Sequence, residues 1–160
     1  MPTIFRDAAT KTATLTIPGG GEWQAFAGPS AAEVDFSIPV ASGNGKKSVA
    51  LPGEFRSWRC FAIRQEETVP YAAERRLPMQ GGYNFRDLGG FPASGGKRTV
   101  WGKFFRTDDL ENLTPGDAAY LESIPVTTLV DFRTDHERRN APDIIPSTVK
   151  NLVQTPVAPG

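Results

Sequence analysis

The sequence predicts a mixed α+β chain: an antiparallel β-sandwich over residues 1–75, followed by an α/β portion over residues 76–160. Three observations predict it. Up to residue 75, apolar residues alternate at period two between turn-rich stretches, and no helical period of any length appears. After residue 80, glycine-rich turns separate short aromatic strands, and two helix-start signatures follow. Finally, "VTTLVDF" runs directly into "TDHERR", the strand–turn–helix order of an open α/β sheet.

In the first half, "TATLTIP" places Ala13, Leu15 and Ile17 on one face of a strand, and "VDFSIPV" is expected to do the same with Val34, Phe36, Ile38 and Val40. Pro39 makes the latter an edge strand, because proline removes a ladder donor. The stretches "PGGGE", "AGPSAAE", "ASGNGKK" and "LPGEF" read as the turns between strands, at a spacing that suits a small sandwich. "SWRCFAIR" alternates Trp58, Cys60 and Ala62 against Arg59, Phe61 and Ile63, a strand covered on both faces, with Cys60 a small core residue. "PYAAERRLP" is the linker or the last strand of this half.

In the second half, "SGGK" reads as a hairpin turn with "RTVW" and "KFFRT" as its arms. In "LTPGDAAYLESI", Thr114 is the N-cap, Pro115 the first helical residue and Asp117 completes a capping box; Ala118, Leu121 and Ile124 share one helical face. "VTTLVDF" is expected to be a buried strand of a parallel or mixed sheet, and Thr134 with Glu137 caps a second helix.

Composition excludes several functions. The 160 residues carry 18 basic and 18 acidic side chains, so no basic field invites nucleic acid, and no stretch approaches the length of a membrane span. "MPTIFRDAATK" lacks the apolar core of a secretory signal, which leaves a periplasmic, secreted or cytoplasmic location open. One cysteine precludes an internal disulfide, and one histidine, His136, precludes the usual zinc ligand sets, so no metal or cofactor is expected.

Arginine and aspartate recur together: Arg86 with Asp87, Arg106 with Asp108 and Asp109, and Asp131 with Arg133. Arginine's planar fork suits phosphate or carboxylate, and a neighbouring aspartate can orient it; the same pairs also serve as structural salt bridges that lock loops. Asp131 and Arg133 fall where a strand delivers side chains to the carboxyl edge of a sheet. His136, Glu137, Arg138 and Arg139 read as a solvated helix face.

"GGYNFRDLGG", "WGKFFRTDDL", "LTPGDAAYLESI" and "TLVDFRTDHER", in that order, resemble the N-terminal half of bacterial tyrosine-protein phosphatases of the atypical cysteine-dependent group, which includes dual-specificity and lipid phosphatases. The resemblance covers residues 76–150. The region before it is similar to the fibronectin-III-like module that precedes some of these enzymes. The resemblance implies a metal-independent phosphoric monoester hydrolase acting on a phosphotyrosine protein or another phosphomonoester, inositol phosphates and lipids included. Its catalytic loop has the form His-Cys, five residues, Arg, and holds the cysteine as thiolate.

Cys60 does not fit that loop: Arg59 precedes it and Glu66 stands where the arginine belongs. The expectation is therefore a phosphatase front portion without its nucleophile and inactive alone, which pairs with a missing C-terminal half or another chain. The resemblance implies Asp131 as loop support or general acid, with Arg86, Arg106, Asp87, Asp108 and Arg133 around the substrate. Asn84, Gly89 and Gly90 shape a turn, and Phe85, Phe104, Phe105 and Phe132 are expected in the core. The alternative is a non-catalytic binding or scaffold module, marked by an exposed aromatic cluster around Trp23 or Trp58.

Overall fold

A computed structural model describes residues 1–7, 10, 12–51, 58–124 and 126–157. The chain forms two units. The first comprises Met1–Pro78 and Arg86–Arg106, the second Met79–Phe85 and Thr107–Gly160.

The first unit is built from two antiparallel sheets. One holds β1 (Thr3–Arg6), β2 (Ala13–Ile17) and β5 (Lys47–Ala50) in the order β1-β2-β5. The other holds β3 (Glu22–Gly28), β4 (Ala41–Asn44), β6 (Cys60–Gln65) and β7 (Tyr71–Ala73) in the order β4-β3-β6-β7. The period-two pattern decides what goes inside: Ala13, Leu15 and Ile17 of β2 are buried, and meet Trp23, Ala25 and Ile63 from the second sheet in one core. β6 is buried on both faces from Cys60 to Ile63, as its sequence suggests, and "PYAAERRLP" supplies a strand. Arg6 and Glu74 form a two-pronged buried ion pair that ties β1 to the chain just beyond β7, beside the Ile4–Glu74 bridge.

Two sequence expectations fail here. "VDFSIPV" forms no strand: Asp35 accepts the amide of Ser37 in a tight local turn, Phe36 lies against Phe26 with Arg64 over its ring, and Ile38 is 75% exposed. A side-chain turn here out-competes the strand pattern. The strand lies just downstream, where "ASGN", read as a turn, forms β4; the turn itself is at Gly45 (φ +73°). Within "LPGEF", residues 52–55 lie outside the described residues.

Residues 86–106 extend this unit with the ribbon of β8 (Arg86–Asp87) and β9 (Phe105–Arg106). "SGGK" does turn the chain, but "RTVW" pairs back with the segment before the turn, through the Pro92–Arg98 bridge and the Gly90 amide to Thr99, whereas "KFFRT" pairs with "NFRD". Gly102 (φ +73°) is forced by its neighbour: an added Cβ would lie 2.5 Å from the ring of Trp58.

The second unit contains α1 (Pro115–Glu122), β10 (Thr128–Asp131), α2 (Asp135–Asn140) and β11 (Asn151–Gln154). Both helices start at complete capping boxes, Thr114 with Asp117 and Thr134 with Glu137. Leu110, Leu113, Tyr120, Leu121 and Ile124 are its buried apolar residues around α1. β10 and β11 pair in parallel, with α2 lying between them in sequence. The expected burial of β10 is not found: Val130 is 46% exposed and Leu152 of β11 50%, because two strands alone cannot cover each other's faces.

No helix among the described residues is long and apolar enough to cross a membrane, and no group of three potential metal-ligating His, Cys, Asp or Glu side chains occurs among them.

Candidate active site

β10 carries Asp131 to its C-terminal end, where the side chain is 7% exposed. Its Oδ1 accepts from the backbone N–H of Arg133 at 2.9 Å and from Arg133 Nε at 3.0 Å, while Oδ2 accepts from Nη2 at 3.0 Å. This is a two-pronged charge-assisted pair closed within one turn of chain. The guanidinium also donates through Nη1 to the carbonyl of Ala141 at 2.8 Å and lies 2.5 Å from Asp143 Oδ2. Asp143 in turn accepts the amide of Leu110 at 2.8 Å. All three guanidinium nitrogens of Arg133 are therefore committed to the protein. The hydrogen bonds from Arg133 hold Asp131's carboxyl below the usual carboxylate range, against the opposing effect of burial.

Asp87, on β8, is fully buried. Its Oδ1 accepts the Gly89 amide at 2.7 Å and its Oδ2 the Gly102 amide at 2.8 Å, so one carboxylate ties β8 to the glycine turn and to the strand entry opposite. Arg75 completes the clasp, donating to the carbonyls of Asp87 and Gly89 while its guanidinium lies between the rings of Phe91 (4.3 Å) and Trp101 (4.7 Å). Desolvation pushes Asp87's pKa up to about 6 despite the Gly102 and Gly89 amides and Arg75, which all favour the charge. Gly90 (φ +76°) packs so closely on Trp101 that it has no room for a side chain, which fits the turn-shaping expected of it; Asn84 (φ +57°) also adopts the left-handed conformation.

Arg86 and Arg106 stand directly opposite each other across the β8–β9 pair, both exposed. Asp108, in the second unit, accepts the Tyr83 amide at 3.0 Å and the Thr107 hydroxyl at 3.2 Å. Arg86, Asp87 and Arg106 thus share the first unit, and Asp108, Asp131 and Arg133 the second. His136 is exposed on α2 with Asn140 beside its ring, as a solvated helix face requires; Arg138 instead turns back to Asp135 and the Arg133 carbonyl.

Cys60 is completely buried, and desolvation, aided by the negative charge of Asp87, pushes its thiol up to about 12. A thiol held neutral in a core is no nucleophile. Trp23 and Trp58 are each 2% exposed, so neither offers the exposed aromatic cluster that would mark a binding module. Of the four phenylalanines expected in the core, Phe85 is buried and Phe105 packs edge-on to Trp58, whereas Phe104 (70% exposed) and Phe132 (60% exposed) face solvent. Phe104 lies just before β9 and Phe132 just after β10, each beside a less exposed neighbour, Phe105 or Asp131, an order that the clusters "KFF" and "VDF" obscure.

The sequence carries no signal for Asp143 and Arg75 as contributors, and for Asp117 it shows the helix cap alone. Asp143 shares Arg133 from ten residues downstream, Arg75 sits in a stretch read as linker or last strand, and Asp117 binds the amides of Gln80 and Gly81 besides capping α1. A family model described as the tyrosine phosphatase family matches residues 77–159, and no curated protein matches the chain.

Proposed function

The chain belongs to the tyrosine phosphatase family, and from that premise we propose that it is the front portion of a phosphoric monoester hydrolase working through a cysteinyl-phosphate. The observation that carries this reading is the match over residues 77–159, which spans all four ordered motifs. In the reaction, a thiolate forms an S–P bond as the P–O ester bond breaks, and the leaving oxygen takes a proton. Water then cleaves the S–P bond and releases inorganic phosphate.

Cys60 takes no part: it is buried, its pKa is raised, and the loop pattern around it is wrong. The nucleophile comes from a His-Cys-x5-Arg loop outside these residues, and the 160-residue chain alone turns nothing over. The exposed β10–β11 pair supports this reading, because a parallel sheet is stable when both faces are covered, here by the rest of such a domain.

Asp131 serves as the brace of that loop. Its lowered pKa keeps it ionised at neutral pH, which suits an acceptor of loop hydrogen bonds and not a proton donor. In the second unit Arg133 holds Asp131 in place with its partner Asp143, and Asp108 fixes backbone; in the first, Asp87 fixes backbone and the exposed Arg86 and Arg106 are the side chains suited to an anion. No metal or cofactor enters the mechanism. Residues 1–75 are on this reading a fibronectin-III-like module, which the three-plus-four division of their strands supports.

The test uses the native protein with the loop present. Hydrolysis of an aryl phosphate is expected in the presence of a chelator, with inhibition by vanadate and by alkylation of the loop cysteine. Activity that requires a divalent metal, or that survives replacement of that cysteine, would overturn the mechanism.

A further inference from the structure

One face of the first unit carries a row of charge that the fold itself does not neutralise. Arg76 bridges to Arg86, and Arg86 pairs with Arg106, each antiparallel, so three arginines stand side by side across three adjacent strand segments. Directly opposed residues share a face, and all three are exposed. The residues next to them, Asp87 and Phe105, point to the opposite, packed side. Like charges directly opposite one another destabilise a ladder. Among the described residues, none of the three guanidiniums has a hydrogen bond or an acidic partner. Arg6, Arg133 and Arg138, by contrast, are all paired.

With strands about 4.8 Å apart, the row spans roughly 10 Å, longer than a single phosphate or carboxylate can bridge. Just before β9, where the Leu88 amide donates to the Phe104 carbonyl and continues the pairing, Phe104 stands two places from Arg106 and is 70% exposed. The backbone amides at a phosphate site point at the ligand from a nest or a helix start. Here the backbone is engaged in strand pairing, leaving side-chain forks and an aromatic ring.

We propose that this face docks an acidic segment of a protein partner, an extended stretch with several Asp or Glu side chains and an apolar one to meet Phe104. It deepens the reading of Arg86 and Arg106 given above and rests on it for one point only: the partner is the phosphoprotein substrate, bound through the residues flanking its phosphorylated site. The guanidinium row engages carboxylates, one fork to each.

The experiment measures binding of a fluorescent, unphosphorylated Glu/Leu peptide to the full chain by anisotropy, so it is independent of any hydrolysis. Binding at low salt that weakens as salt rises is expected, with no binding of the Lys/Leu counterpart. The combined variant Arg76→Gln, Arg86→Gln, Arg106→Gln should lose about tenfold or more in affinity, and Phe104→Ala severalfold. Arg139→Gln, which removes an exposed charge elsewhere, should change nothing. All three variants replace exposed side chains, and amide shifts at Arg76, Arg86 and Arg106 on adding peptide to the unaltered protein give a readout free of any folding defect. Equal binding by the triple variant, absence of those shifts, or capture of tripolyphosphate but not of the peptide would each overturn the proposal. If the native enzyme also proves not to be a cysteine phosphatase, peptide binding with these sensitivities still establishes the docking face, and only the identification of the partner as substrate is lost.

Discussion

Replacing Asp87 with Asn tests the account of the buried carboxyl that anchors β8. The amide keeps the size and one acceptor of the side chain, and mimics the neutral acid without being able to ionise. In the folded protein Asp87's pKa lies at about 6, above its ordinary 3.8, so the folded state holds the proton more tightly than the unfolded one. Below about pH 4 both states are protonated and the group imposes no pH-dependent penalty. As pH rises from there through 6 the unfolded chain releases its proton first, and stability is lost. A shift of roughly two units corresponds to about 3 kcal/mol, which is an upper bound because water reaching the ionised group would lower it. The variant lacks this titration. Urea unfolding of both proteins at several pH values from 4 to 8 should therefore show the difference, variant minus wild type, rising in the variant's favour by up to about 3 kcal/mol between pH 4 and 7. Whatever constant offset arises from setting an amide NH₂ against the Gly89 or Gly102 amide drops out of that comparison. A difference that stays flat, or falls with pH, would refute the argument that desolvation outweighs the two amide hydrogen bonds.

Asp117→Ala should cost about 3–5 kcal/mol in unfolding of the second unit, since it strips acceptors from the amides of Gln80, Gly81 and Thr114; hydrogen exchange should show those three amides losing protection together. Burial works to raise Asp117's pKa, but those bonds hold it below the usual value, so the contribution is present above pH 4 and disappears on acidification through the folded pKa. Gly81→Ala should be more disruptive still, with its Cβ 1.7 Å from the carbonyl oxygen of Asn112, and should prevent native α1 docking as judged by near-ultraviolet circular dichroism. Cys60→Ala should lower stability by about 1 kcal/mol as a small cavity, and leave the hydrolysis rate of the loop-containing enzyme unchanged; a lost rate with intact folding would contradict its role as packing. Asp131→Asn should leave the fold in place and depress kcat of that enzyme by tenfold or more while the alkaline limb of its pH–rate profile persists, whereas replacing the proton donor would abolish that limb.

The elements legible in the sequence are those specified by neighbours in the chain. Both capping boxes could be placed to the residue because Thr114 meets Asp117 and Thr134 meets Glu137 across three positions. β2 was legible because alternation maps directly onto burial. The failures share a different physics. "VDFSIPV" has the alternation of a strand, but the pattern does not record that Asp35 satisfies a nearby amide itself. The arms of the ribbon are not legible because pairing of Arg86 with Arg106 bridges twenty residues, and short aromatic strands carry no label for their partner. At the candidate site, Asp131 with Arg133 is visible as a pair two residues apart, whereas Asp143 has no signal. Asp87 looked like an orienting partner for arginine; its actual partners include backbone amides, which every residue but proline offers and which sequence therefore cannot distinguish.

The two units are interleaved in sequence, the chain passing between them at 78/79, 85/86 and 106/107. No single cut releases either one whole. On the ribosome the first unit has to wait for its last strand, β9, until after Met79–Phe85 has emerged, and that short stretch must stay unoccupied until Thr107 and beyond arrive to receive it. A recombination event that exchanged the N-terminal module at one breakpoint near residue 75 would leave the ribbon of residues 86–106 behind, parted from the strands it extends.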